Sequence, residues 1–418
     1  MNKRIAICGA GIAGIATAYY ITQLLPSIEI VLIDRNQPLS YTSSKSGENF
    51  RDYWPHPSME ALSSHSIDLM QNLLKKYGET AFRMEFSGYH FVSCYADKPI
   101  FADDNAFSFR QRNKVITNTK VIRQQYPYLS PTIQKSILIK KAGNVDSISM
   151  ANLMLKVAKD NGAVLVEGII EAIHRNKRGF GVSLADQQNI LVDKVIIAAG
   201  PFINHIGNMM GVKFPIWNTL QRKFLIPDPL QIIPVDMPFT IFADGQFLDW
   251  SAEEKDFFES DEKLQWLNQV FPGAIHIKPD SGRIKMGWAF SKEAVEPELK
   301  IPMSPYFPQV VLKGATRFIP ALTAYAEHIP TPLIEYGGYY TRTKENWPLI
   351  GPTSEKNVYV VGALAGFGSM TACAAGELLA LYIAEKELPT YASYFHSNRY
   401  DNPYIQQELA NLNLDGQL

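Results

Sequence analysis

Cysteine is scarce in this chain: Cys8, Cys94 and Cys373 are its three thiols. An odd count with no Cys-x-x-Cys spacing excludes a disulfide scaffold and a structural zinc site, so no metal is expected. Cys8 in a β-branched stretch and Cys373 in an apolar helical stretch read as small buried hydrophobes. An excess of charge of one sign is missing too. Forty Lys+Arg against 41 Asp+Glu leave a net charge of −1, without the basic surplus that a nucleic-acid surface requires. There is no apolar run of about 18 residues, hence no expected membrane span. Internal repeats and low-complexity tracts are absent. Nothing ahead of the first strand reads as a leader, and a cytoplasmic protein is the expectation. What remains is a chain of 418 residues, 46% hydrophobic, enough for about two or three domains with a large core.

What is present begins at once. The strand Ile5-Ala6-Ile7-Cys8 runs into Gly9-Ala10-Gly11-Ile12-Ala13-Gly14, a helical stretch follows, and a second strand, Ile28 to Ile33, ends on Asp34. Strand, G-x-G-x-x-G, helix, strand, acid is the order that binds a dinucleotide. Gly9 permits the tight turn. Gly11 lets a pyrophosphate approach the backbone, and Gly14 lets the helix pack on the sheet. The helix N-terminus at Ile12 and Ala13 offers N–H groups and a partial positive charge. Asp34 stands where a carboxylate accepts from ribose hydroxyls.

Further along, a helix is expected over 58–77, another over 150–161, a hairpin over 179–192 and a buried strand from Lys194 into Ala199-Gly200-Pro201. Residues 215–330 are rich in proline and aromatics, with short alternating strands and one charged helix, Glu253 to Phe271. The last ninety residues return to strand, glycine loop and helix. The expected fold is therefore an α/β Rossmann-type domain plus an α+β substrate domain with a mostly antiparallel sheet. The first would be assembled from 1–85, 145–215 and 330–418, the second from 86–144 and 216–329.

A second glycine loop, Gly362-Ala363-Leu364-Ala365-Gly366-Phe367-Gly368, precedes the last long helix, whose N-terminus would stabilise negative charge on a reduced flavin. There is no second complete G-x-G-x-x-G. Both points favour FAD over NAD. With Ser43-Ser44…Phe50-Arg51, Val145-Asp146, Ala198-Ala199-Gly200-Pro201, Ile284-Lys285-Met286-Gly287-Trp288, Gly338-Tyr339-Tyr340-Thr341-Arg342-Thr343 and Pro348-Leu349-Ile350-Gly351 added, the chain resembles the FAD-dependent amine and amino-acid oxidases. That family includes D-amino-acid oxidase, glycine oxidase and monomeric sarcosine oxidase. The resemblance implies Ile170 at the adenine, and Arg35, Ser44 and Lys45 near ribose and phosphates. It implies Ala199, Gly200, Gly338, Gly366, Phe367, Gly368, Ser369 and Met370 around the rest of the cofactor. It also implies non-covalent FAD, since covalent members carry a cysteine where Gly338 stands.

By the same resemblance, Lys285 would point at the flavin, its cation stabilising charge that develops on O2, and Arg51 would polarise the flavin or hold a carboxylate. Among eight histidines none stands out. The family's carboxylate anchors correspond here to Trp54, Tyr340 and Met370, and the histidine after its lysine strand to Ala289. A larger, more apolar amine, held partly by Trp54, Trp288, Tyr339 and Tyr340, is the expectation. The expected reaction passes hydride from an amine or amino-acid C–H to flavin and then to O2, giving imine and hydrogen peroxide. A dehydrogenase feeding a quinone or carrier protein is the alternative. An aromatic-ring hydroxylase lacks its Gly-Asp segment here, and a redox-silent flavin module fits poorly with intact loops. A small-molecule amine or amino acid and O2 are thus the expected partners, and the sequence leaves the oligomeric state unassigned.

Overall fold

Two kinds of strand follow from two hydrophobic patterns. The computed structural model describes residues 3–411; positions 1–2 and 412–418, the outer ends of the expected FAD-binding segments, lie outside the described residues. Continuous apolar runs make strands buried on both faces. Arg4–Cys8, Glu29–Asp34 and Lys194–Ile197 are of this kind. They form the centre of a six-stranded sheet, ordered Leu349–Pro352, Val358–Gly362, Lys194–Ile197, Arg4–Cys8, Glu29–Asp34, Val164–Glu167. Its pairs are parallel except the first. Ile5, Ile7 and Leu32 turn to one side, against helices Ile12–Leu24, Ser147–Asp160 and Gly368–Ile383. Ala6, Cys8, Val31 and Ile33 turn to the other, against Phe180 and Val182 of a three-stranded sheet. Gly376 brings the first and last of these helices together: a Cβ there would lie 2.7 Å from Thr17 N.

Alternating runs make the second sheet, ordered Ile334–Arg342, Trp217–Pro227, Arg283–Gly287, Ile275–Asp280, Phe239–Phe242, Tyr89–Ser93, Lys135–Ile139, Lys114–Ile116. Its neighbours are antiparallel apart from Phe239–Phe242 beside Tyr89–Ser93. Side chains on a strand alternate between faces. Phe224, Ile226, Ile275, Ile277, Ile284, Met286 and Trp288 therefore share one face, packed with helix Phe307–Ala315 in a core. Lys223, His276, Lys278 and Lys285 share the other. Register aligns them in two rows, Lys223–Gly287–His276 and Leu225–Lys285–Lys278.

The charged helix expected to reach Phe271 stops at Ser260. Ser251 and Glu254 form a capping box that starts it, and the chain then turns so that Trp250, Phe258, Leu264 and Leu267 meet in the core. Helix Phe307–Ala315 stands in a stretch where short strands are expected, and Pro308 in its first turn does not break it. In a helix's first turn proline is favoured instead, since its missing N–H has no helical partner to lose.

Acid stability is a testable consequence of burial at His90. The ring lies against Tyr126 at 4.3 Å, its Nε2 sits 2.7 Å from Ser136 Oγ, and burial pushes its pKa from 6.5 down to about 3. The unfolded chain takes up a proton near 6.5 that the folded protein refuses until about 3. Stability contributed by the neutral ring is therefore present above 6.5 and lost as pH falls through that window. The expected contribution is a slope of up to about 1.4 kcal/mol per pH unit. Urea unfolding across that window should show a shallower slope in H90Q than in wild type, and identical slopes would sink the assignment.

Candidate functional site

The C-terminal ends of the parallel strands open a cleft of about 370 Å³. Its floor is built by the first glycine loop. Gly9 has φ +117°, and a Cβ there would lie 2.4 Å from the Ala198 carbonyl oxygen, so glycine is the residue that fits. Gly11 starts helix Ile12–Leu24 with no side-chain cap. The Ile12 N–H donates to Ser43 Oγ at 3.1 Å. Gly14 faces away from the cleft; a Cβ there would lie 2.0 Å from the Gly9 carbonyl oxygen. Asp34 accepts from Ala10 N at 2.7 Å and from Asn36 N at 3.0 Å, which fixes the carboxylate at the cleft wall.

Asp34, Arg35, Ile170, Ala199 and Gly200 line one end of the cleft. Lys45, Gly338, Tyr339, Gly366, Gly368 and Ser369 line the other. The Gly362–Gly368 loop holds Ala363 and Ala365 at φ +52° and +45°. L-residues in that region are strained, and such strain concentrates at ligand sites. Helix Gly368–Ile383 starts here, also without a side-chain cap. The glycine floor and the start of helix Ile12–Leu24 offer N–H donors and Asp34 a fixed acceptor, which suits a dinucleotide's diphosphate and ribose, while the start of helix Gly368–Ile383 stands at the other end of the cleft. Ser44 lies outside this lining. Its hydroxyl donates to the carbonyls of Ser40 and Tyr41, and Ser43 takes the position by the helix.

A smaller cavity of about 50 Å³ adjoins the cleft, sharing Ser46, Gly47, Lys223, Tyr340, Gly366 and Ser369 with it. Its wall also includes Glu48, Asn49, Tyr89, His276, Arg342 and Met370, with Phe239, Ile241, Ala274, Ala289 and Phe367 as apolar lining. Lys223 Nζ lies 3.4 Å from the Tyr340 hydroxyl. Arg342 lies across the Tyr340 ring, its Cζ 5.3 Å from the centroid. Arg342 Nη1 donates to Asn346 Oδ1 at 3.3 Å, while its buried Nε has no hydrogen-bond partner among the described residues. Burial lowers the Arg342 pKa, opposed by the Tyr340 phenol.

Several expected site residues lie elsewhere. Lys285 is on the cleft-side face but one row out; its Nζ is 3.6 Å from Asp280 Oδ2, and it lines neither cavity. Trp288 is on the opposite face, buried between Phe271 and Phe290, its Nε1 donating to Pro272 O at 3.0 Å. Trp54 sits a layer behind Phe367, 4.4 Å away ring to ring. Arg51 is fully buried among Trp54, Tyr89 and Phe91, and burial lowers its pKa. Tyr339 and Tyr340 do line the cleft, and Met370 the smaller cavity.

Sequence reasoning missed Lys223, His276 and Arg342 on the cavity wall, and Lys278 on the same sheet face, which lines neither cavity. Lys278 Nζ donates to Gly47 O, Asn49 Oδ1 and Asn144 Oδ1 at 2.7, 3.0 and 2.7 Å, and burial pushes it from 10.5 down to about 7. The available signal was period two: Ile275 and Ile277 claim one face, so His276 and Lys278 must share the other. Among the described residues no group of His, Cys, Asp and Glu is arranged to hold a metal ion, and no helix is long and apolar enough to cross a membrane.

Comparison with known proteins gives the context. The family model described as FAD dependent oxidoreductase matches residues 4–381. The fold is similar to L-proline dehydrogenase from P. horikoshii, with a TM-score of 0.74, 19% identity, and 96% of this chain and 98% of that one covered. It is similar to glycine oxidase from Geobacillus kaustophilus, with a TM-score of 0.74, 16% identity, and 95% and 99% covered. Iminodiacetate oxidase from Chelativorans superposes with a TM-score of 0.68 at 17% identity, over 94% and 99%. No curated protein matches the sequence.

Proposed function

The chain belongs to the FAD-dependent oxidoreductase family, and from that premise we propose that it oxidises an amine whose carbon also bears a carboxylate, with O2 as electron acceptor and imine and hydrogen peroxide as products. Bound FAD supplies the hydride acceptor. One observation carries the substrate reading: two cations, Lys223 and Arg342, flank Tyr340 in the cavity beside the cofactor cleft. Arginine's planar fork suits a carboxylate, and a buried Nε without a partner is a donor in need of an acceptor. These cations do the work expected of the anchors whose family positions hold Trp54, Tyr340 and Met370. On this reading an amino carboxylate takes the place of the larger, more apolar amine: Trp54 and Trp288 lie outside the cavity wall, and Lys223 and Arg342 stand in it beside the apolar Phe239 and Ile241.

Tyr339 lines the cofactor cleft, outside the smaller cavity. Its hydroxyl accepts from Glu298 N at 2.9 Å, and Tyr41 donates to Glu298 O, so the chain segment around Glu298 is tied down beside the cofactor cleft. Asp34, the Gly9–Gly11 floor and the start of helix Ile12–Leu24 would hold the ribose and diphosphate, and the start of helix Gly368–Ile383 would face the flavin. Non-covalent attachment is supported by glycine at 338. The glycine oxidase and iminodiacetate oxidase likenesses agree with an amino-carboxylate substrate.

A specific observation favours the second reading, electrons passed to a quinone or carrier. Lys285, assigned to oxygen activation by resemblance, faces Asp280 rather than either cavity. The test separates the readings. Sarcosine, D- and L-amino acids, cyclic imino acids and bulky carboxylate-free amines are mixed anaerobically with the yellow protein, and air is then admitted. Bleaching by amino carboxylates with rapid return of colour is expected. Slow return would favour the dehydrogenase, and bleaching by bulky carboxylate-free amines alone would sink the substrate reading.

A further inference from the structure

We propose that His276 is the group that recognises the substrate's nitrogen, its Nε2 accepting an N–H of the amine inside the smaller cavity. This rests on the reading of that cavity as the substrate site. The ring lines the cavity, and its Nδ1 lies 3.1 Å from the Ala274 carbonyl oxygen. A carbonyl only accepts, so Nδ1 carries the proton and Nε2 is left with a lone pair. Gly287 leaves the space for that arrangement. A Cβ on it would lie 2.5 Å from His276 Nε2 and 3.0 Å from Lys223 Cγ, so His276 and Lys223 stand side by side across one glycine.

The two side chains are complementary in what they ask of a ligand. Lys223 and Arg342 offer only donors, and a carboxylate answers them. Nε2 offers only an acceptor, and an amine or ammonium answers it. A molecule carrying both groups on one carbon is the one that satisfies Lys223, Arg342 and His276 together. Burial first, and then the Lys223 charge, push the imidazole from 6.5 down to about 3, against the Ala274 bond that raises it. The ring therefore remains an acceptor across the neutral range rather than turning into a third cation. That low basicity also makes it a poor proton acceptor, so its work is orientation: it turns the nitrogen, and with it the neighbouring C–H, in the cavity.

Two inert probes test the assignment, 2-aminoisobutyrate and pivalate. They share a carboxylate and a shape and differ by an amino group in place of a methyl. Neither has a hydrogen on the carbon next to the carboxylate, so neither is oxidised. Binding to the FAD-loaded protein is followed by the shift in flavin absorbance. Wild type is expected to prefer 2-aminoisobutyrate; H276L should weaken it by about tenfold while leaving pivalate unchanged. H276Q, which presents an amide oxygen, should restore part of the preference. Equal weakening of both probes in H276L would show a structural role and overturn the proposal. Wild-type binding of both probes with equal affinity would overturn it while sparing the carboxylate reading. Binding of neither would overturn both. Should H276L fail to fold, the 15N resonance of His276 Nε2 in wild type decides. It should move with 2-aminoisobutyrate and not with pivalate, and an equal response to both would overturn the assignment.

Discussion

Replacing Arg342 by leucine should lower kcat/KM for an α-amino carboxylate by about two orders of magnitude, because truncating one side of a buried, charge-assisted pair costs about 2–5 kcal/mol. Arg342 is half-buried, lies over the Tyr340 ring and keeps a buried Nε without a partner. Its desolvation is already a cost in the free protein, and a carboxylate offsets it on binding. K223M should lose less, about tenfold, since a lysine is a point charge and makes no bidentate fork. R342K should fail to rescue for the same reason. The pair acts on one ligand group, so the double variant should lose less than the product of the singles. Amines without a carboxylate should be nearly indifferent to either change. An equal fall for both substrate classes would mean that Arg342 supports the fold of the strand and does not touch the ligand.

The second large effect is expected at the glycine floor. G9A should yield a protein with little or no bound FAD, read as loss of visible absorbance per mole of purified chain. Two costs combine at this residue. At φ +117° an alanine is strained by about 1–3 kcal/mol. Its Cβ would also lie 2.4 Å from Ala198 O and 2.8 Å from Ala198 C, and backbone atoms of a central strand end cannot swing aside as a flexible side chain does. The Gly9 N–H donates to Ile33 O at 2.8 Å and Ala10 N–H to Asp34, so moving Gly9 also moves the carboxylate placed for the ribose. Retention of a full complement of FAD in a soluble G9A protein would show that the floor is softer than its geometry implies.

Much of the cofactor cleft was legible in the sequence because it is local. Gly9 to Asp34 is one strand–helix–strand unit whose turn chemistry is written in adjacent residues, and the Gly362–Gly368 loop is another. Ser44 is an instructive miss. Two neighbouring serines share one short 3-10 turn, Thr42–Lys45, and only the geometry of that turn decides which hydroxyl meets the helix. The substrate side was less legible because it is non-local. Lys223 and Arg342 stand far apart in the chain and are brought together by the pairing of Trp217–Pro227 with Ile334–Arg342. One part could have been read in advance. Lys285 and Trp288 are three apart on one strand run, so they point to opposite faces and cannot both line one cavity.

By itself, then, the sequence determined a dinucleotide fold, FAD as the cofactor and the glycine loops that line the cleft, since each rests on short-range backbone conformations that particular residues permit or forbid. It also determined which residues share a face within each strand. The tertiary structure alone decided which of the two faces meets the core. Helix Phe307–Ala315 and its apolar neighbours cover the Ile277–Met286 face, and that burial turns Lys223, His276 and Lys278 toward the cleft. Burying the apolar face removes it from water at a gain that no single strand can realise alone. The chemistry of the cavity is therefore set by partners distant in the chain.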